Sequence, residues 1–89
     1  MNREKNMGNI KKQVMTILRK NKLNDNIKEV PDLFGIDEDG NYYHMIIDYP
    51  GTLYKQIVNL NSDEEFVKYI VKEIIYDNRK PKYIYNSKK

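Results

Sequence analysis

The sequence predicts an α+β fold, a three-stranded antiparallel meander with two helices on one face, in the order α-β-β-β-α. Three observations carry this expectation. One segment near each end spaces its apolar residues for a helix. Three short β-prone runs lie between them, and Asp-Gly and Pro-Gly turn signals separate those runs. Helices at both ends of such a sheet pack on one of its faces and leave the other wet, as antiparallel sheets allow.

The elements follow in order. Residues 1–8 read as a flexible N-terminus ending at Gly8. After it, Ile10, Val14, Ile17 and Leu18 fall at i, i+4, i+7 and i+8, one face of a helix. Asn9 is placed to cap it, because its side chain can accept a hydrogen bond from a free first-turn amide. Lys20 and Lys22 suit the negative end of the dipole, and NKLNDN stops the helix with side chains that compete for backbone bonds. DLFGI is the weakest strand, since Pro31 and Gly35 both work against a central position. Asp39-Gly40 then supplies a hairpin turn, YYHMIID a strand, Tyr49-Pro50-Gly51-Thr52 a second turn, and LYKQIV the last strand. Ser62 and Glu65 form a capping box, with Asp63 and Glu64 adding negative charge at the dipole's positive end. Phe66, Val67, Ile70, Val71 and Ile74 make the broad stripe of a helix from Asp63 to about Asn78. A single domain therefore spans 9–79, and Pro81 separates it from a basic tail or short strand at 80–89.

Composition narrows the chemistry. A chain of 89 residues builds one domain with a modest core, in which an enclosed pocket is harder to form than a surface for a partner. With no cysteine there is no disulfide framework, zinc–cysteine site or thiol nucleophile. MNREKNMGNIKKQ lacks the apolar run of a signal peptide and no stretch reaches the roughly 20 apolar residues of a membrane span, so a cytoplasmic protein is expected. Abundant lysine, asparagine, isoleucine and tyrosine with only 3 arginines point to AT-rich codons, and hence to a low-GC bacterium, its phage or a mobile element. The net charge of +3 hides an asymmetry. Residues 1–22 carry seven Lys/Arg against Glu4, residues 79–89 carry five and no acid, and residues 23–78 set four lysines against twelve acids, a balance of −8.

His44 is the one histidine and the first candidate for catalysis. Strand alternation puts Tyr43, Met45 and Ile47 on one face and Tyr42, His44, Ile46 and Asp48 on the other. The first set is the more apolar, so it is expected in the core, with His44 toward solvent or a sheet groove. Asp48 lies four residues on, roughly 13 Å along the strand, whereas a proton-transfer dyad needs about 3 Å. Tyrosine hydroxyls are poor nucleophiles without activation. No catalytic residue is therefore assigned. Asp37, Glu38 and Asp39 lack the distal bidentate glutamate of a calcium loop, and no metal or cofactor is expected.

Two binding surfaces remain. Carboxylates at Asp32, Asp37, Glu38, Asp39 and Asp48, with Tyr42, His44, Tyr49 and Tyr54 near them in sequence, suit a basic protein partner through steering and rigid aromatic contacts. On this reading the carboxylates are presented outward, and reversing the charges of Asp37 and Glu38 weakens partner binding while leaving the thermal midpoint nearly unchanged. The basic ends, with Tyr83 and Tyr85 beside Lys80 and Lys82, offer nucleic acid an alternative through phosphate neutralisation and stacking.

The segment YYHMIIDYPGTLYKQIVNLNSDEEFVKYIVKEII resembles the immunity protein 63 family of bacterial polymorphic toxin systems. The likeness lies in the Tyr43-His44 strand, the turn at Gly51, a second strand ending near Asn59, and an acid-started helix with the pairs Glu65-Phe66 and Tyr69-Ile70. It covers about a third of the chain. Tyr49-Pro50 replaces the charged pair before the glycine, and Lys55 stands alone where the family is richer in arginine. The resemblance implies a non-enzymatic antidote that binds and blocks a toxin domain. A phage or mobile-element inhibitor of a host defence protein would act the same way on another target. Oligomeric state is open.

Overall fold

A computed structural model describes residues 3–25, 27–48 and 50–79. It has helix α1 (Arg3–Lys20), strands β1 (Phe34–Ile36), β2 (Tyr42–Asp48) and β3 (Thr52–Val58), and helix α2 (Asp63–Arg79). The sheet order is β1-β2-β3 with both pairings antiparallel, so the expected α+β meander is the fold. Residues 80–89, expected as a tail or strand, lie outside the described residues.

Helix α1 starts at Arg3 rather than at Asn9, which places Asn9 and Gly8 inside it. An interior glycine costs about 1 kcal/mol relative to alanine. Tertiary packing carries the helix through it, since Met7, one residue earlier, packs against the core. The C-terminal stop is also stronger than competing side chains alone. Leu23 N donates to Leu18 O at 2.7 Å and Lys22 N to Arg19 O at 3.1 Å, with Lys22 at φ 57°. That is a Schellman motif in which lysine occupies the left-handed position usually given to glycine. Asn21 adds the expected side-chain bond, Nδ2 to Ile17 O at 2.8 Å.

Helix α2 begins with a variant of the capping box. The Glu65 amide donates to Ser62 Oγ at 3.2 Å, while Glu65 Oε1 reaches back to the Asn61 amide at 2.8 Å. Caps of this kind contribute about 1 kcal/mol.

The core lies between the helices and one sheet face. Ile10, Val14, Met15 and Leu18 of α1 meet Phe66, Val67, Ile70 and Ile74 of α2, with Val30 and Phe34 closing the bottom. Phe66 is its centre, fully buried, with ring centroids 4.8 Å from Tyr42, 6.2 Å from Tyr69 and 6.4 Å from Phe34. The sheet face that meets α2 is the reverse of the one expected. Register pairs Phe34 with His44 and Ile36 with Tyr42, so these four side chains share the inner side. Tyr43, Met45 and Ile47 lie outside, and Ile47 is 62% exposed. Two apolar residues on β1 outweighed the apolar triplet on β2. The polar tips that come inside are satisfied rather than solvated: Tyr42 Oη donates to Asp63 Oδ1 at 2.8 Å, and His44 Nδ1 meets Tyr69 Oη at 2.8 Å.

Gly35 stands on the outer side between Phe34 and Ile36. A Cβ there would overlap the Tyr43 ring, so glycine is what lets that tyrosine lie flat over β1.

Candidate protein-binding surface

The β1–β2 turn is built around Asp37. Its Oδ1 accepts from the amides of Asp39 at 3.0 Å and Asn41 at 2.9 Å, and Gly40 closes the turn at φ 84°. Its Oδ2 takes a 3.0 Å ion pair from Lys55 Nζ. The Asn41 amide, then the Lys55 ammonium, hold the Asp37 carboxyl below its ordinary value. This corrects the expectation that the charge of Asp37 can be reversed with the thermal midpoint nearly unchanged. Asp37 organises a turn, so reversing its charge disturbs the hairpin as well as any surface. Glu38 and Asp39 beside it are exposed.

The expected acidic cluster does not form as one patch. Asp37, Glu38 and Asp39 sit at one end of β2, and Asp48 at the other, next to Thr52. The length of β2, seven residues with Asp48 the last, separates them by about 20 Å. His44 is buried beneath α2, and Tyr42 is half-buried against it with its hydroxyl on Asp63. Tyr54 is exposed near the Asp48 end, and Tyr49 lies outside the described residues.

His44 is only 8% exposed. Its ring stacks on Phe34 at 4.4 Å between centroids and meets the edge of Tyr69 at 5.8 Å. Burial pushes its pKa down, opposed by the charges of Glu73 and Asp77. Burial raises that of Tyr69, with Glu73 adding to it. A neutral imidazole with Nδ1 as acceptor for the Tyr69 hydroxyl fits both shifts. A groove of about 220 Å³ lies alongside, lined by Leu33, His44, Ile46, Glu73, Tyr76 and Asp77. The hydrogen-bond partner of His44 is thus a phenol with a raised pKa, not a carboxylate. Among the described residues, no group of three or more His, Cys, Asp or Glu side chains converges on a possible metal position.

What the surface offers instead is apolar. Among the described residues, the large apolar or aromatic side chains left most exposed are Leu23, Ile47, Leu53, Tyr54, Ile57 and Tyr76, and four of these six belong to β2 and β3. Ile47 pairs with Leu53 across the strands, and Ile57 with Tyr43. These residues form the outer sheet face, crossed by Lys55, whose Nζ lies 5.2 Å from the Tyr43 ring centroid. The sequence reading passed over Leu53 and Ile57, and put Ile47 in the core. The available signal was hairpin arithmetic. Once Ile36 pairs with Tyr42 across the Asp39-Gly40 turn, side-chain alternation puts Ile47 on the far face.

Basic residues gather elsewhere. Lys11, Lys12, Arg19 and Lys28 border a cleft of about 610 Å³ between α1 and residues 28–32, together with Glu29 and Asp32. Lys11 is engaged there by Asp32 at 3.4 Å. No described helix is long and apolar enough to cross a membrane. In comparisons with known proteins, no family model, curated protein or solved structure matches the chain.

Proposed function

We propose that this chain is a small non-enzymatic binding protein, an immunity-like antidote or inhibitor, that blocks a protein partner by covering its functional surface. The observation that carries this is the exposed apolar outer face of the β2–β3 hairpin. Ile47, Leu53 and Ile57 are 62%, 54% and 42% exposed although the core is complete without them. Apolar surface grouped in this way marks interaction sites. Glu38 and Asp39 at one end and Asp48 at the other supply a charged rim for a basic partner. The toxin-blocking role rests on the likeness of residues 42–75 to the immunity protein 63 family.

Affinity capture from a low-GC bacterial lysate tests this, comparing the natural chain with Leu53→Glu and Ile47→Glu. A protein retained by the natural chain and lost by both variants, with unchanged circular dichroism, is the expected result. Equal capture by all three removes the outer face from consideration.

The basic cleft beside α1 favours nucleic acid as a second possibility, since Lys11, Lys12, Arg19 and Lys28 converge on it. Glu29 and Asp32 in the same cleft work against phosphate. Anisotropy titrations with short DNA and RNA at two salt concentrations decide the matter. Binding that weakens steeply with salt supports the cleft, and its absence at micromolar protein rules the cleft out.

A further inference from the structure

Among the described residues, strand β3 has one hydrogen-bonded neighbour, β2, and none pairs with its other edge. The opposite edge of the sheet is different. There β1 faces α1 across a cleft lined by Met7, Gly8, Lys11, Phe34 and Ile36. Along β3 every residue from Thr52 to Ile57 is exposed, and only Val58 is half-buried. An edge of seven residues is a template for another strand unless something guards it, and lysine is the usual guard. Lys55 is the one charged residue of β3, and it does not stand guard. Its ammonium crosses the outer face of β2, over Tyr43, to the Asp37 carboxylate at 3.0 Å. The edge is left uncharged.

We propose that β3 pairs antiparallel with β3 of a second copy of this chain, about a two-fold axis at Lys55, making a continuous six-stranded sheet. The sequence of β3 is self-complementary in that register. Leu53 faces Ile57 of the second copy, Tyr54 faces Gln56, and Thr52 faces Val58, each pair occurring twice by symmetry. On the outer face, Ile47 already pairs with Leu53 and Ile57 with Tyr43. The new contact joins these into two unbroken rows, Ile47–Leu53 of one copy running into Ile57–Tyr43 of the other. Moving the register by two residues sets Lys55 against an apolar side chain instead. The register has one apparent flaw, Lys55 opposite Lys55, and like charges directly opposed destabilise a strand pair. Asp37 removes it, because each lysine is drawn back over its own sheet and neutralised there. Seven strand residues make a small interface, below about 1,200 Å², in the class of weak associations that depend on concentration. The inference goes beyond the proposed function: it concerns the strand edge, leaves the outer face free, and presents that face twice.

Sedimentation equilibrium on the full chain measures the association, and cysteine cross-linking measures the register, since the chain has no cysteine of its own. Mass rising with concentration toward that of two chains is expected, with association weakened about tenfold by Leu53→Lys. Under mild oxidation, Lys55→Cys should form a disulfide-linked dimer rapidly, because directly opposed Cα atoms lie about 4.5–5.5 Å apart. Leu53→Cys alone should not, its two copies being displaced about 13 Å along the strands, whereas a mixture of Leu53→Cys and Ile57→Cys should cross-link. A chain that stays monomeric throughout, or Leu53→Cys cross-linking as fast as Lys55→Cys, overturns the proposal. Either outcome leaves partner capture by the outer face to stand or fall on its own assay.

Discussion

Phe66→Ala is expected to remove about 3–5 kcal/mol of folding stability, the cost of emptying a large aromatic site in a closed core. Phe66 is fully buried and touches the three aromatic rings that join α2 to the sheet, so no neighbour can close the gap without breaking another contact. A domain of this size has a total stability of order 5–10 kcal/mol. The variant should therefore unfold near or below physiological temperature, with the midpoint falling by about 4–8 °C for each kcal/mol lost. Urea titration followed by circular dichroism measures the loss directly. Ile57→Ala is the control: its side chain is 42% exposed on the outer face, and the expected change is within about 0.5 kcal/mol. Similar losses from both variants would mean that the core does not lie on the helix side of the sheet.

The second large effect concerns His44 and acid. Burial depresses its pKa in the folded chain, so the unfolded chain binds a proton at a higher pH than the folded one. Stability from this site is complete above the ordinary histidine value of about 6.5, and it is lost as pH falls through the depressed folded value. Protonation also takes the Nδ1 acceptor from Tyr69. The urea midpoint of the natural chain should therefore drop between about pH 7.5 and about pH 5, and His44→Gln should flatten that drop. At neutral pH Tyr69→Phe should cost about 1 kcal/mol, the low end for an acceptor stripped of its partner, because the groove beside His44 admits water. Equal pH slopes for the natural chain and His44→Gln would show that the imidazole titrates as though exposed.

Much of the architecture could be read from local chemistry. The bounds of β2 and the start of α2 agree with expectation because turn residues and a capping box act within a few residues of where they stand. The start of α1 could not be read that way. Gly8 signals a break locally, and only the packing of Met7 on a core assembled from distant segments overrides it. The sheet faces were misassigned for a related reason. Ranking Tyr43, Met45 and Ile47 above Tyr42 and His44 by polarity ignores what a buried polar tip can find. Asp63 and Tyr69, 21 and 25 residues away, provide what Tyr42 and His44 need. The same error hid the surface, since placing Ile47 inside drew attention to carboxylates instead. Asp37, chosen as a contact residue, spends its oxygens on its own turn and on Lys55.

The side chains that hold this domain together and those it displays are nearly disjoint sets. Ile10, Val14, Leu18, Phe66 and Ile70 are sealed between helices and sheet, while Leu53, Tyr54 and Ile57 contribute little to that interior. Substitutions at Leu53, Tyr54 and Ile57 therefore cost the interior little, whatever they do to contacts made outside it. A scaffold partitioned in this way can alter what its outer strands display while its own architecture is conserved.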